Sequence, residues 1–335
     1  MLRPLLSPPT LPLHSVLALL ARCALILLGP LTAFSEAHIP AVTLATELPP
    51  EIRVVAYNLK NWLSMERRVA GELVPEAPKS EPEKTAAVRI LASLQPDILG
   101  VCEIGTLDDI ADLHNRLRAK GIDLPHHLLH EAADPHRRLA LLSRFPITAS
   151  QASSQLHYSL DGRVLPLQRG ILDATLQINP AYELRLLGCH LKSRREVQEG
   201  EQAAMRRHEA VLVREYIEQV LKRNPQTNLL LYGDFNDTKN EQPIKVVQGQ
   251  FGHPHYLRDL GLHDADGYHF TYYWNLADTY DRIDFAFINN GLWPEVRTKK
   301  SFIAKDRAWL EASDHRPLVI TLLPLETITR PRPRP

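Results

Sequence analysis

The sequence predicts a mixed α/β fold. Apolar stretches of strand length outnumber those with helical spacing, and their connections mix hairpin turns with amphipathic crossovers. No segment repeats along the 335 residues, and 44% of them are hydrophobic, enough to bury a large core. These observations favour one large domain, over residues 51–324, rather than a doubly wound sheet.

Taken in order, the chain opens with Arg3 and His14 ahead of the apolar run Val16-Leu17-Ala18-Leu19-Leu20. The run resumes after Arg22 as Cys23-Ala24-Leu25-Ile26-Leu27-Leu28, and Ser35-Glu36-Ala37 offers small residues at cleavage positions. Residues 1–37 therefore read as a signal peptide for secretion or periplasmic export, with an uncleaved membrane anchor as the alternative. Arg22 directly before Cys23 argues against a lipoprotein cleavage site. A Pro-containing linker follows over residues 38–50.

Ile52-Arg53-Val54-Val55-Ala56-Tyr57-Asn58 reads as a first strand ending on an amide. Val69 to Pro82, with three prolines and several charges, is expected to be a surface loop. Ala87, Ile90, Leu91 and Leu94 recur at helical spacing before Pro96 stops the helix. Asp97 to Glu103 is a second buried strand, finishing in a carboxylate, and Leu107, Ile110, Leu113 and Leu117 mark a second helix capped near Gly121. Leu139 to Arg144 is a further strand. Ile171 to Ile178 and Glu183 to His190 form a hairpin about Asn179-Pro180. A long helix follows from about Glu201 to Lys222, with Ala210, Val213, Ile217, Val220 and Leu221 inward and Arg206, Arg207, Arg214 and Lys222 outward.

The next strand is the most telling. Leu229-Leu230-Leu231-Tyr232 runs into Gly233-Asp234-Phe235-Asn236-Asp237, which places an acid and an amide at a strand's carboxyl end. There α/β sheets carry their chemistry. The residues from Asn240 to Asp281 show little periodicity. Two last strands, Arg282 to Ile288 and Pro317 to Leu322, enclose Ser313-Asp314-His315-Arg316, and residues 325–335 form a Pro/Arg-rich tail too proline-rich to pack.

Lys plus Arg equals Asp plus Glu at 39 each, so no whole-molecule field draws the chain onto nucleic acid or an anionic membrane. Any phosphate binding must be local. Three cysteines exclude a disulfide scaffold; if Glu103 and His190 face a cleft, alternation turns Cys102 and Cys189 into the core, where two buried free thiols are expected, with pairing in an oxidising compartment as the alternative. Asn58, Glu103, His190, Asp234, Asn236, Asp284, Asp314 and His315 all fall at or beside strand ends. Each has an ordinary reading alone: a solvated acid, a turn residue, or a salt-bridge partner of Arg282 for Asp284. So many polar groups on apolar strands are costly to converge without a function.

The motifs Tyr57-Asn58, Cys102-Glu103-Ile104, Gly188-Cys189-His190-Leu191-Lys192-Ser193, Gly233-Asp234-Phe235-Asn236-Asp237, Arg282-Ile283-Asp284-Phe285 and Ser313-Asp314-His315-Arg316-Pro317, in that order, resemble the endonuclease/exonuclease/phosphatase (DNase I-like) superfamily. The resemblance spans about Ile52 to Leu322. It implies a four-layer α/β/β/α sandwich of two mixed β-sheets flanked by helices, with the site at the upper edge of the sheets. It further implies Glu103 as principal Mg²⁺ ligand, with Asn58 and Asp314 nearby and Mn²⁺ or Ca²⁺ as substitutes. His190 and Asn236 would hold phosphate oxygens, Asp234 would orient or deprotonate the attacking water, and His315, oriented by Asp284, would bind or protonate the phosphate.

The expected activity is an exported, metal-dependent phosphoesterase that hydrolyses a phosphodiester or phosphomonoester by direct attack of water. The substrate is a small molecule, a lipid head group or nucleic acid. A nuclease is one alternative, and a non-catalytic binding module on the same fold is another. A zinc hydrolase built on His253, His255, His263 and His269 lacks a recognisable ligand spacing. Lys192 is either an added positive charge in the site or a loop lysine. Tyr272, Tyr273 and Trp274 read as a packed loop. Nothing points to an obligate protein partner, and a monomer is expected.

Overall fold

Alternation decides which residues of each strand face which layer. In the computed structural model, which describes residues 50–325 apart from 152 and 154, two six-stranded sheets lie face to face. The signal-peptide reading of residues 1–37, nearly all of the 38–50 linker and nearly all of the tail fall outside the described residues. Among the described residues no helix is long and apolar enough to cross a membrane.

Across the first sheet the order is Phe302–Ile303, Leu318–Leu322, Ile52–Trp62, Ile98–Ile104, Arg138–Ser143 and His126–His130. Across the second it is Arg258–Asp259, Asp284–Ile288, Leu229–Asp234, Tyr182–His190, Ile171–Asn179 and Ile147–Gln151. Each sheet has one parallel pair at its centre, Ile52–Trp62 with Ile98–Ile104 and Tyr182–His190 with Leu229–Asp234, and antiparallel neighbours outside it. The parallel pairs end at one edge of the sandwich. Their antiparallel neighbours Asp284–Ile288 and Leu318–Leu322 begin there.

Ile52, Val54, Ala56, Leu184, Leu186, Leu230, Tyr232, Ala286 and Ile320 fill the space between the sheets. The alternate residues Val55, Tyr57, Leu99 and Val101 turn outward onto the helices Glu81–Leu94 and Leu107–Arg118. On the other side Leu187, Leu229, Leu231, Phe285 and Phe287 pack on the helix Gln202–Arg223. This is the four-layer arrangement of two mixed sheets between helices. Leu229 and Leu231 are fully buried, so truncating either to Ala costs about 2–5 kcal/mol.

Two expectations need correction. The stretch from Val69 is not a plain loop. Met65–Val69 and Glu72–Ala77 pair as a hairpin, and Ala70 and Gly71, both at positive φ, make its two-residue turn. Arg206 does not decorate the outer face of the long helix. It is 4% exposed and reaches inward to Asp237, Nε to Oδ2 at 3.1 Å. The region from Asn240 to Asp281 contains a helix at Gln242–Gln248 and a hairpin of Tyr272–Trp274 with Thr279–Asp281.

Candidate active site

Asn58, His190, Asp234 and Asp284 continue the inward-facing rows of their strands to the edge, so they meet where the two sheets open. Glu103 does not follow by alternation. Cys102 faces between the sheets, so the next residue should face the helices; Glu103 instead adopts φ +61°, and the ladder shifts register on both sides of it. This bulge brings the carboxylate to the edge, where Oε2 accepts from the Asn61 amide at 2.9 Å. Ile104 then returns to the helix-facing core.

Gly233 at φ +146° lies within the strand, where a Cβ would come 1.9 Å from the Cys189 carbonyl oxygen. A side chain there would push apart the two strands that deliver His190 and Asp234. Gly100 is needed for a different contact. The Tyr232 ring lies 2.2 Å from where its Cβ would be and floors the space between the sheets.

Asp234 is the centre of the set and is 2% exposed. Its Oδ2 accepts from Asn58 Nδ2 at 3.1 Å and lies 3.6 Å from His190 Nε2 and 3.7 Å from His315 Nε2. Its Oδ1 accepts from the Asn236 amide at 2.9 Å. Asn58 Nδ2 also points at Glu103 Oε1, 3.5 Å away, and His190 Nε2 is 3.9 Å from the same oxygen. On the opposite side His315 Nδ1 meets Asp284 Oδ2 at 2.8 Å, and its Nε2 is 4.0 Å from Asp314 Oδ1. Of this set Asp314 is the open member, with a side chain 31% exposed.

The two imidazoles sit in opposite fields. Burial pulls the His315 pKa down, but Asp284 and Asp234 outweigh it, and the group rises to about 10. His315 is a buried cation. Burial also pulls down His190, and here Arg169, His315 and Arg137 add to the effect, so it falls well below the ordinary value and stays neutral. Its Nδ1 is buried without a hydrogen-bond partner. Burial pushes Asp234 up to about 7, opposed by His315 and assisted by Asp284 and Glu103.

The remaining sequence candidates take supporting positions. Asn236, at φ +53°, donates from Nδ2 to the Leu191 carbonyl at 2.9 Å, locking the segment just after His190. Lys192 is a loop brace, its ammonium donating to the carbonyls of Ser193 at 3.0 Å and Arg195 at 2.7 Å. Asp284 is not a partner of Arg282, which pairs with Asp259. Cys102 and Cys189 are both buried and free. The Tyr272–Trp274 strand is only half packed: the Tyr272 ring lies tilted against His315 with centroids 4.8 Å apart, while Trp274 is 48% exposed.

Sequence reasoning missed the polar clamps. Thr271 Oγ1 accepts from the amides of Ile283 at 3.1 Å and Asp284 at 3.0 Å, while its carbonyl accepts from Arg316 at 2.7 Å. One buried residue thus ties Asp284 to Arg316, the residue that follows His315. Ser313 Oγ donates to the Asn58 carbonyl at 2.8 Å and accepts from the His315 amide at 3.1 Å, which makes the turn that brings Asp314 and His315 to one place. Glu209, fully buried on the long helix, accepts from the Lys192 amide at 2.6 Å. A threonine and a helical glutamate carry no motif signal; Ser313 stands in the Ser-Asp-His motif, but its bond to the Asn58 carbonyl, 255 residues away, leaves no trace there.

With this geometry, the comparison with known proteins is decisive at the level of family. The sequence matches the profile of the Endonuclease/Exonuclease/phosphatase family over residues 71–315. The chain belongs to that family. The matched stretch holds Glu103, His190, Asp234, Asn236, Asp284, Asp314 and His315, and begins after Asn58. Members of the family are generally hydrolases of phosphoester bonds and typically depend on a divalent metal.

Solved structures agree in fold. Truncated Caenorhabditis elegans TDP2 is 16% identical, covering 82% of this chain and 98% of its own, with a TM-score of 0.54. The human Nocturnin catalytic domain, solved with bound sulfate anion, is 19% identical, with coverages of 82% and 94% and a TM-score of 0.55. A beta toxin of Staphylococcus aureus is 12% identical, with coverages of 80% and 99% and a TM-score of 0.55. No curated protein matches the sequence.

Proposed function

We propose that the chain is an exported, divalent-metal-dependent phosphoesterase that cleaves its substrate by direct attack of water, without a covalent enzyme intermediate. The observation that carries this reading is the meeting of Asn58, Glu103, His190, Asp234 and His315 around one buried carboxylate oxygen, Asp234 Oδ2. The export element rests on the N-terminal segment alone.

The donor set fits a hard cation. Glu103 and Asp314 offer carboxylate oxygens, the ligands Mg²⁺ takes, and Asn58 stands beside Glu103 with its Nδ2 toward Oε1. The Asn58 oxygen is taken by the Lys60 amide at 3.0 Å and its nitrogen faces Asp234 and Glu103, so Glu103 and Asp314 would hold the cation while Asn58, expected as a ligand, orients the two acids beside it. When bound there, the metal supplies positive charge to the phosphoryl oxygens and the leaving group.

The protein's own groups account for the rest. Asp234, deprotonated, accepts a proton from water held at its Oδ2, and Asn58 and Asn236 fix the carboxylate's direction. His315, cationic and held by Asp284, offers Nε2–H to a phosphoryl oxygen. His190, neutral, offers its Nε2–H from the other sheet without adding charge. Two fixed donors facing one base orient an anion and an attacking water together.

The test is a parallel assay with Mg²⁺ on plasmid DNA, RNA, phosphoinositides, sphingomyelin and bis-nitrophenyl phosphate, each repeated in EDTA. We expect hydrolysis of at least one substrate, lost in EDTA and restored by Mg²⁺. Full activity in excess EDTA overturns the metal assignment. A folded chain that hydrolyses none of them is a binding module on the same fold.

A further inference from the structure

A second cluster of ligating side chains lies away from this edge. Glu218 belongs to the long helix Gln202–Arg223, and His253 and His255 flank Pro254 in the loop between the helix Gln242–Gln248 and the strand Arg258–Asp259. One ligand atom from each of the three lies within 4.8 Å of the other two. Arg258 pairs with Ile288, the far end of the strand that begins at Asp284, so about 13 Å of strand at ~3.3 Å per residue separates the two places.

The cluster is held in place. His255 Nδ1 meets Glu218 Oε2 at 2.5 Å, and the His253 and His255 rings stand edge to face, centroids 5.1 Å apart. Arg214, one helical turn before Glu218, takes the other carboxylate oxygen, with Nε 3.1 Å from Oε1. The same guanidinium donates to the carbonyls of Val247 at 3.2 Å, Gln248 at 3.1 Å and His255 at 2.7 Å. It therefore fixes helix and loop together and orients the carboxylate, as the groups behind a metal ligand do.

From this geometry we propose that Glu218, His253 and His255 bind a zinc ion that clamps the loop to the long helix, independently of the catalytic metal. Two imidazoles and a carboxylate suit Zn²⁺, whereas Mg²⁺ prefers oxygen alone. A tetrahedral Zn²⁺ with bonds of ~2.0–2.2 Å needs ligand atoms ~3.4 Å apart. The exposed His253 ring is free to close that gap by turning, which breaks the 3.2 Å contact its Nδ1 accepts from the His255 amide. Zinc takes the place of the proton shared by His255 and Glu218, which leaves to solvent. Three protein ligands leave a fourth position for water. His263 and His269 lie outside this group: their rings pair with each other at 5.9 Å, and their Nδ1 atoms meet the carbonyls of Asp264 and Leu262.

The experiment is a zinc titration of the untagged full chain against a chromophoric chelator, in excess Mg²⁺ to hold the oxygen-rich site. We expect wild type and His263→Ala to bind one more equivalent of zinc than His253→Ala, with affinity at this site falling ~100-fold or more in the variant. Zinc should raise the Tm of wild type and His263→Ala and leave that of His253→Ala unmoved. His253 is exposed, so its replacement leaves the fold intact, and Glu218→Gln provides a second ligand variant. Equal stoichiometry in wild type and His253→Ala, or a zinc-dependent Tm rise that survives in both ligand variants, overturns the proposal.

Discussion

His315 and His190 face the same carboxylate oxygen from opposite sides, 3.7 Å and 3.6 Å away, yet one is a cation and the other neutral. Both are buried. His315 has three acids around it, Asp284 in direct contact, which outweigh its burial; His190 lies 3.6 Å and 3.9 Å from Asp234 and Glu103 but touches neither, and its burial, with Arg169, His315 and Arg137 adding to it, prevails. The lesson is that the strand end brings the imidazole and the neighbouring layer decides its charge. Two cations there would bind an anion more tightly but pull Asp234 away from acting as a base.

The largest effects should separate the histidines by their partners. His315→Ala and Asp284→Asn should each lower kcat by about 10²–10⁴-fold, and the double variant should be little worse than the worse single one, because the two act as a unit. His190→Ala should lower kcat comparably. Combined with Asp284→Asn, its loss should come closer to multiplying, since His190 has no contact with Asp284. Steady-state kinetics on the substrate found first decides this. Multiplying losses for His315 and Asp284, or a folded Asp284→Asn near wild type, break the pair.

A smaller effect follows in stability. The His315 pKa is raised in the folded chain to about 10 from an unfolded value of 6.5. Its contribution is therefore fully present below pH 6.5 and lost as pH rises through 10. We expect Tm of the metal-free protein to fall between pH 7 and 10 by more in wild type than in Asp284→Asn. Equal slopes would place the charge elsewhere.

Smaller again is the effect of Thr271→Val. It removes the hydroxyl that accepts from Ile283 and Asp284, leaving two buried amides unpaired at a cost of about 1–3 kcal/mol each. Activity should fall about tenfold through misplacement of Asp284. Chemical denaturation together with kcat checks both parts, and Thr271→Ser should restore most of each. A Thr271→Val protein with wild-type kcat would remove Thr271 from the positioning of His315.

The strands were readable because their signal is local. Leu229 to Tyr232, Ile52 to Asn58 and Glu183 to His190 are apolar runs that end on a polar group, and that is enough to place a side chain at a sheet edge. The bulge at Glu103 was not readable, because its cause is the need to turn a carboxylate that alternation would send toward the helices. Helical spacing alone turns Arg206 to solvent, because its buried partner Asp237 is 31 residues away and leaves no local signal. The hairpin from Met65 is hidden by Pro75, which an exposed edge strand tolerates, and by the prolines that follow it. Charge assignments were least legible of all, since each depends on groups from several strands.

The smallest effect tests the thiols behind the two sides of the site. Cys102 precedes Glu103 and faces the space between the sheets; Cys189 precedes His190 and faces the long helix. The Cys102 thiol lies 3.7 Å from the Cys189 carbonyl oxygen, so the strands are close while the two side chains sit on different faces of the second sheet. A disulfide needs Cβ atoms about 3.8 Å apart with their side chains converging, which this arrangement does not provide without moving a strand. Burial also pushes both thiols well above their ordinary pKa, which suppresses the reactive thiolate. Native protein should therefore take up iodoacetamide at neither cysteine, and both should label on unfolding without reductant. Mass spectrometry of the unreduced protein reads this directly. A linked 102–189 peptide would show that one of the strands carrying Glu103 and His190 turns its face over, and with it the two-sided geometry of the site would fail.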